Sequence, residues 1–478
     1  MEITTETERK YDVPENFELP DLIGAAGIAG VDGAETHDLD ATYFDTDDLR
    51  LMRNRRTLRH RTGGHDAGWH LKTPGDGTGR KEHRLAGQAA EVVPDELVGL
   101  VRGIVRRRPL LPVARLQTHR VETPLRDRSG RVLALVAQDQ VRATDENGVQ
   151  TAWQEIEVEL VDGDTAVLDA VQRKLAKKGA RPASGPSKVS RALAGRLAAA
   201  TTTATVKGKV NPVFRYAREQ RDAILEHDPA ARHGEETAVH KMRVATRRLR
   251  STLKTYRKWF PASPVRDELR WLARLLGAVR DPQVLEARLL AGVEESGPEF
   301  VPVAQRIRES LDGKAAAGRA ELAAALDSDR YLDLLDAIDA LVDRPSTPGP
   351  DPAKRARKVL DKADGELNAA RESGVDEQLH ESRKTFKQAR YAIELIAPEH
   401  GKRAERLVDA LTGLQDGLGA HQDSVIARET LREIGSDSFH FGVLYGRQEQ
   451  VGKETLAEVP ALVRAARRKR VRRWLKKT

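Results

Sequence analysis

The segment TETERK, residues 5–10, stands near the start of the chain and alternates in the manner of a β-strand. Because successive side chains of a strand point to opposite faces, Glu6, Glu8 and Lys10 share one face of this segment. The simplest interpretation is a solvent-exposed strand edge with no binding role. The alternative is a site that needs two carboxylates and an ammonium group side by side, and the rest of the sequence is needed to choose between them.

Alternating segments punctuated by turn signals continue to about residue 160, and each pairs an apolar face with a charged one. In WQEIEVEL (153–160) the charged face holds Glu155, Glu157 and Glu159. Other charged residues at alternating positions are Arg59, Arg61, Lys72, Glu82 and Arg84. We predict strands over 3–12, 41–45, 55–62, 68–73, 80–86, 117–123, 131–142 and 152–160, with helices near 15–29, 94–105 and 164–178. Eight strands are enough to close a barrel.

If the helices cover the apolar faces, the charged faces point into the barrel. Enclosing both signs of charge costs several kcal/mol per ion unless the charges are paired or bound to a ligand. A wet tunnel removes this cost, because Arg and Lys would hold a chain of phosphates and carboxylates would hold Mg²⁺ or Mn²⁺. On this hypothesis Glu6 and Glu8 bind metal while Lys10 binds phosphate.

Six motifs in order carry a family resemblance over nearly all of residues 1–198: the Glu6-x-Glu8-x-Lys10 start, YFDTDDLRLMRNRRTLRHR (43–61), WHLKTPG, KEHRL, QEIEVEL and PSKVSRALA (186–194). They resemble the CYTH, or triphosphate tunnel metalloenzyme, family. The resemblance implies an eight-stranded antiparallel tunnel that binds triphosphate with a divalent cation and usually hydrolyses it.

Matched by motif, the metal-binding positions of that family fall on Glu6, Glu8, Glu155 and Glu157. The triphosphate-binding positions fall on Lys10, Arg59, Arg61, Lys72, Arg84, Arg120 and Lys188, and we expect Glu6, Glu8, Lys10 and Lys72 to be the catalytic set. In LQTHRVET (116–123) the family often has two basic residues where only Arg120 is clear here. Asp139 and Glu159 are each open between a site role and a structural one, and the histidines His60, His65, His70 and His83 lack the spacing of zinc ligands.

From about residue 210 the pattern changes to long amphipathic helices that repeat. His240 is followed by Arg243, Arg247 and Arg250, and His380 by Arg383, Lys387 and Arg390, both at steps of three, seven and ten residues. These steps keep each set on one helical face. The motif LGAVRD (276–281) is similar to LGAHQD (418–423). We therefore predict an internal duplication, with the boundary between the two copies near 343–352. Asp281 either orients basic groups or caps a helix.

This arrangement, over about residues 208–470, resembles the CHAD domain. The resemblance implies two similar helical bundles around a basic cavity that binds inorganic polyphosphate. We therefore predict an α+β tunnel domain over 1–198, a linker over 199–207, and an all-α domain of two duplicated bundles over 208–478. CYTH and CHAD in this order resemble bacterial inorganic triphosphatases.

Charge is segregated along the chain, whose net charge is +8. Residues 1–205 hold 30 Lys and Arg against 31 Asp and Glu, whereas residues 206–478 hold 51 against 42. The surplus lies in the stretch 241–258 and in the tail from Arg464 to Lys477, which we interpret as a frayed helix end. Segregated positive charge predicts a polyanionic partner.

The chain has no cysteine and no apolar run long enough to span a membrane. We expect a cytoplasmic protein, with polyphosphate granules as one place of association. Aromatic residues make up only 4% of the chain, so nucleic acid is not an expected partner.

The leading functional hypothesis is metal-dependent hydrolysis of inorganic triphosphate, with polyphosphate bound by the helical domain. The alternatives are class IV-type adenylate cyclase chemistry, thiamine triphosphatase activity, and a non-catalytic polyphosphate-binding protein. The carboxylates of the tunnel argue against the last, because a pure anion binder gains nothing from glutamates inside its site.

Overall fold

The computed structural model of the chain describes residues 1–75, 79–87, 92–202, 211–344, 349–435 and 438–476. The chain divides into two compact units, Met1–Thr205 and Val206–Thr478. The first is an antiparallel sheet with helices and the second is helical, so the fold class predicted from the sequence is confirmed.

The first unit is built on strands that follow the predicted alternation. They are β1 (Glu2–Glu6), β2 (Glu8–Asp12), β3 (Gly30–Val31), β4 (Glu35–Asp45), β5 (Thr57–Thr62), β6 (Gly68–Pro74), β7 (Arg80–Ala86), β8 (Leu111–Arg126), β9 (Val132–Asp145), β10 (Gln150–Leu160) and β11 (Arg181–Pro182). The helices are α1 (Arg50–Arg53), α2 (Asp95–Val105), α3 (Thr165–Lys177), α4 (Lys188–Ala192) and α5 (Ala194–Thr202).

The sheet curls so that consecutive strands β1 and β2 lie toward its two opposite ends. Its order is β1-β7-β6-β5-β4-β8-β9-β10-β2-β11, with β3 paired to β8. Strands β1 and β2 are separated only by Thr7. Strand β7 pairs with β1 and strand β10 pairs with β2, so both sides of the curled sheet meet at this one segment. The Leu160 amide donates a hydrogen bond of 3.0 Å to the Thr7 carbonyl at this junction.

Apolar residues on the outer face of the sheet pack under helices. Tyr11, Ile156 and Val158 are buried against α3, and a separate cluster around Trp69 is buried against α2. The inner faces of the same strands are left to polar and charged residues, as the alternation predicts.

The predicted helix over 15–29 is wrong. This stretch is a series of turns in which Gly24, Ala26 and Gly27 have positive φ angles of 81°, 45° and 84°. Left-handed backbone at three nearby positions is incompatible with a right-handed helix. Leu22 and Ile28 are still buried in the core, so the segment covers the sheet without being helical.

The second unit contains the helices α6 (Pro212–Arg232), α7 (Glu236–Thr255), α8 (Val265–Glu294), α9 (Val301–Leu326), α10 (Asp329–Val342), α11 (Pro352–Ser373), α12 (Asp376–His400), α13 (Lys402–Gly435), α14 (Phe439–Arg467) and α15 (Lys469–Arg472), with 3₁₀ turns at Pro298–Phe300 and Arg473–Lys476. Helices α6 to α9 each pack on the next, and α11 to α14 do the same, as expected for two copies of one bundle. Helices α7 and α12, which carry the two basic stripes, contact each other.

The predicted division at 343–352 falls between the end of α10 at Val342 and the start of α11 at Pro352, with 345–348 outside the described residues. The predicted linker over 199–207 begins within α5, and residues 203–210 lie outside the described part of the chain.

The basic tail is not a frayed helix end. Trp474 and Leu475 are buried in the core of the helical unit, and Arg467 and Arg472 both donate hydrogen bonds to Asp364. Burying an indole ring and pairing two guanidinium groups fixes the end of the chain to α11.

Candidate active site

The curled sheet encloses a cavity of about 290 Å³. The structure places ten of the predicted tunnel residues at its wall, namely Glu6, Glu8, Lys10, Arg59, Arg61, Lys72, Arg84, Arg120, Glu157 and Lys188. The wall is therefore built from charged side chains on the inner faces of neighbouring strands. Register explains why opposite charges meet there, since Lys10 on β2 lies directly across from Glu157 on β10.

Lys188 lies at the centre of the most buried charge cluster. Its Nζ atom is 2.9 Å from Asp139, 2.8 Å from Glu155 and 2.7 Å from Glu157. Arg120 donates two hydrogen bonds to Asp139, at 2.8 and 2.7 Å, and one of 2.6 Å to Glu157. Burial alone would raise the pKa of Glu157, but Lys10, Lys188 and Arg120 hold that pKa well below its usual range.

Glu155 does not line the cavity. Its side chain is 5% exposed, accepts a hydrogen bond of 2.6 Å from the Trp153 indole and pairs with Lys188. This carboxylate supports Lys188 from behind the wall. Glu159, whose role the sequence leaves open, is at the wall instead.

The remaining cavity carboxylates are held by lysines. Glu6 forms an ion pair with Lys72, and Lys10 pairs with Glu157 and, at 3.1 Å, with Glu8. Burial tends to lower the pKa of Lys10, but Glu157 and Glu8 raise it above its usual value, so Lys10 is held cationic. The carboxylates around Lys10 thus offset its positive charge and stabilise its protonated form.

One part of the wall carries positive charge that the neighbouring carboxylates do not fully offset. Arg61 pairs with Asp66, yet burial and the nearby charges of Arg59 and Arg120 lower its pKa to about 10. Arg59 donates a hydrogen bond of 3.3 Å to the Tyr43 hydroxyl. A phosphate group placed here would relieve the repulsion among the three guanidinium groups.

Glu82 is a residue whose role sequence reasoning missed. It is 1% exposed, accepts hydrogen bonds from Arg84 at 2.5 Å and His70 at 3.1 Å, and lies 3.7 Å from Lys72. It therefore orients the cations of this wall. The available signal is that Glu82 and Arg84 share a strand face; Asp66, on a turn, offers no comparable pattern.

Glu159 lies at the cavity wall together with the carboxylates of Glu6 and Glu8. Burial and the charges of Glu6 and Glu8 raise the pKa of Glu159 to about 7, against the lowering effect of Lys72. Negative charge is thus in excess at this position, and a cation would offset it. Carboxylate oxygens are the ligands that Mg²⁺ and Mn²⁺ prefer.

In the helical unit the basic stripes line two adjoining cavities. Arg243, Arg247 and Arg250 line the first, between α7, α8 and α9, and Arg247, Arg250 and Lys387 line the second, between α7, α8 and α12. The two cavities form what we call the basic groove. Further cations at its wall, not predicted from the repeat, are Lys254, Arg266, Arg270, Arg274, Lys314 and Lys384.

The repeated LGA motif makes room for the stripes. A Cβ atom on Gly419 would lie 2.8 Å from Nη2 of Arg383, and one on Gly277 would lie 3.1 Å from Oδ2 of Asp281, which binds Arg243. Arg243 pairs with Asp281 at 2.6 Å, and Asp281 lies within α8. Of the two roles considered for Asp281, orienting a basic group is therefore confirmed.

The stripe residues differ in how far they are free to bind an anion. Among the described residues, no carboxylate lies within ion-pair distance of Arg247, Arg250 or Lys387. Burial and the charges of Arg247 and Arg383 lower the pKa of Lys387 to about 7. The groove is therefore under charge repulsion that a polyanion would relieve.

Four predicted groove residues lie elsewhere. Arg383 packs against Gly419 of α13 and does not line the basic groove. Arg390 pairs with Glu394 at 2.9 Å and donates a hydrogen bond of 3.0 Å to Gln415. His240 is exposed and His380 is half-buried, and neither lines the basic groove.

Comparison with known proteins matches each unit to a domain family. The CYTH domain matches residues 4–193 and the CHAD domain residues 215–432. An uncharacterized protein of Mycobacterium tuberculosis is 36% identical over 499 residues, covering 96% of each chain. Among solved structures, PptA from Streptomyces chartreusis is 17% identical and covers 53% of this chain and 98% of its own, with a TM-score of 0.45. The CHAD domain from the plant Ricinus communis is 24% identical and covers 56% of this chain and 88% of its own, with a TM-score of 0.36.

Across the described residues, every helix is too short or too polar to cross a lipid bilayer.

The Lys188 cluster predicts a pH-dependent loss of stability. Lys188→Met leaves three buried carboxylates short of a cation, so we expect it to destabilise a fragment of residues 1–205 by about 3–5 kcal/mol at pH 7. Asp139 and Glu157 have lowered pKa values in the folded protein, so their contribution is present above the unfolded values of 3.8 and 4.5 and is lost as the pH falls through the folded values.

Without Lys188 the ionised form of these carboxylates loses its stabilising partner, so the difference from the wild type should narrow as the pH falls below 4.5. Urea unfolding at pH 7 and pH 3 measures this, with the exposed Lys177→Met as control. A difference that is small at pH 7, or that does not narrow on acidification, contradicts the cluster.

Proposed function

The chain belongs to the family in which a CYTH domain, the triphosphate tunnel domain, precedes a CHAD domain, and on this basis we propose that it is a metal-dependent triphosphatase whose helical unit binds inorganic polyphosphate. The observation that supports this most strongly is the cavity wall, where Arg61 is repelled by the neighbouring guanidinium groups and Glu159 is repelled by the neighbouring carboxylates. A triphosphate and a divalent cation together would satisfy both.

The phosphate chain would lie along the guanidinium groups of the wall. Arg59 and Arg61 come from β5 and Arg84 from β7, the two strands on either side of β6, and their planar forks bind phosphate oxygens in pairs. Lys10 and Lys72, which are the proposed catalytic cations, are compact charges suited to the leaving pyrophosphate.

Glu6, Glu8 and Glu159 would hold the metal ion, with Glu157 close by. When bound, Mg²⁺ or Mn²⁺ supplies neutralisation of phosphate charge and polarisation of a water molecule. Glu155, from the set matched by motif, would act through Lys188 rather than as a ligand.

The preferred substrate in this proposal is inorganic triphosphate. Tyr43 is the one phenol ring at the described cavity wall, which has no phenylalanine or tryptophan, and its hydroxyl accepts a hydrogen bond from Arg59. A nucleobase or a thiamine ring stacks most favourably on an extended aromatic surface. Adenylate cyclase and thiamine triphosphatase activity therefore have no specific support at this wall.

The double variant Glu6→Gln/Glu8→Gln tests the metal assignment. An amide keeps the shape of the side chain but loses the charge that binds a divalent cation, so release of phosphate from inorganic triphosphate with Mg²⁺ or Mn²⁺ should fall to background. The matched control is Glu2→Gln/Glu96→Gln, which removes two exposed carboxylates outside the cavity wall and should keep full turnover. Wild-type turnover in Glu6→Gln/Glu8→Gln refutes the assignment.

Inorganic polyphosphate is the proposed ligand of the basic groove. Its cations lie in a row on α7, α8 and α12, and several have no carboxylate partner among the described residues. An extended polyanion would contact many of them at once, so binding should weaken steeply as salt rises.

A pair of triple variants separates the groove from the tail. The groove variant, which removes three positive charges from the basic groove, is Arg247→Gln/Arg250→Gln/Lys387→Gln. The tail variant, which removes three positive charges from exposed positions, is Arg468→Gln/Lys469→Gln/Arg470→Gln. We expect the groove variant to bind long-chain polyphosphate much more weakly and to lower the salt slope of the affinity by about two. The tail variant should bind nearly as the wild type does. Titration at two ionic strengths measures both, and the reverse ranking rejects the groove.

A further inference from the structure

A cluster of two imidazoles and one carboxylate lies beside the cavity, apart from the glutamates of the proposed metal site, and its two imidazoles line the cavity wall. The side chains of Glu35, His37 and His65 present ligand atoms that all lie within 4.8 Å of one another. Nε2 of His65 is 2.8 Å from Glu35 Oε2, and Nε2 of His37 is 3.7 Å from the same oxygen.

Local backbone geometry fixes this cluster. Glu35 and His37 are two residues apart on β4 and so share a face. His65 is brought to them by the turn after β5, where Gly63 and Gly64 have φ angles of 80° and 73°. A Cβ atom on Gly63 would lie 2.1 Å from the Asp38 carbonyl, so the turn packs directly against β4 at a distance that only glycine allows.

An ion pair between His65 and Glu35 does not account for the whole cluster. That pair is mostly exposed, and exposed ion pairs contribute little to stability. The side chain of His37 is 15% exposed, and its Nε2 atom is buried without a hydrogen-bond partner. A rotation of the ring or a bound ligand would satisfy this nitrogen. A buried nitrogen without a hydrogen-bond partner lowers the stability of the folded protein by about 1–3 kcal/mol. A ligand bound to this nitrogen explains its position better than an unsatisfied state does.

We propose that Glu35, His37 and His65 form a second metal site, selective for a borderline divalent transition ion such as Zn²⁺. Zinc bonds of about 2.0–2.2 Å bring ligand atoms to about 3.3 Å from each other, which small side-chain movements would achieve here. Imidazole nitrogen favours zinc, whereas the oxygen ligands of the glutamate site favour Mg²⁺ or Mn²⁺.

Glu122 is a further carboxylate next to this cluster. It is the register partner of Glu35 on β8, so it lies on the same face, and it lines the cavity together with His37 and His65. An ion bound here would add positive charge at the wall of the cavity that also holds Arg61 and Arg120.

Calorimetric titration of the full chain with Zn²⁺, in saturating Mg²⁺ to compete for the glutamate site, tests the proposal. We expect one zinc site that persists in Mg²⁺ and in the Glu6→Gln/Glu8→Gln chain. His65→Ala, at an exposed position that should not disturb folding, and His37→Asn should each weaken this site by at least about tenfold. Substituted Co²⁺ should show the visible absorption of imidazole coordination in the wild type and lose it in both variants.

The control is His119→Ala, which removes an exposed imidazole from the neighbouring strand β8 on the opposite face and should leave zinc affinity unchanged. The proposal is overturned if no zinc site persists in Mg²⁺, or if His65→Ala and His37→Asn bind zinc as the wild type does. Because zinc is measured without substrate and in the Glu6→Gln/Glu8→Gln background, the outcome is independent of triphosphatase activity.

Discussion

The structure of the first unit depends on mutual neutralisation of charges that the sheet encloses. Lys188 alone contacts three carboxylates, and Lys10 and Lys72 are held by Glu157 and Glu6. Enclosing these groups unpaired would cost several kcal/mol each, so strand register must bring opposite signs together. The packing of apolar outer faces under α2 and α3 follows from the same alternation, because a strand that turns its charges inward turns its apolar side chains outward.

The alternation of residues along the strands predicted which charged side chains face the cavity. It did not predict how deep a side chain lies where that depth depends on tertiary contacts. Period two assigns Glu6, Glu8 and Lys10 to one face, and closure of the sheet makes that face the inside. The same period cannot tell Glu155 from Glu159. Their difference in depth arises because the Trp153 indole and Lys188 hold Glu155 behind the wall. The segment 15–29 was misjudged because left-handed backbone at glycines breaks its apparent helix.

In the helical unit, some of the basic residues of the two stripes have carboxylate partners and others do not. The repeat predicted both stripes, and α7 and α12 do contact, but Arg390 is taken up by Glu394 and Gln415. Such partners come from residues outside the repeat motif, so spacing alone could not identify them. Arg247, Arg250 and Lys387 are left without carboxylate partners in the described structure and lie in an open groove, where water moderates their repulsion. The tunnel pairs its cations internally, whereas the groove keeps them available.

On the proposed function, internal pairing predicts that metal and triphosphate bind the tunnel together. Triphosphate alone would take cations from Glu6 and Glu157 and leave buried carboxylates unpaired, while a metal ion alone would leave Lys10 and Lys72 unpaired. Calorimetric titration with imidotriphosphate, an analogue that resists hydrolysis, tests this coupling in Mg²⁺ and in a chelator. We predict an affinity at least about tenfold higher in Mg²⁺, a coupling of about 1.4 kcal/mol or more. Equal affinity in Mg²⁺ and in the chelator would contradict the account.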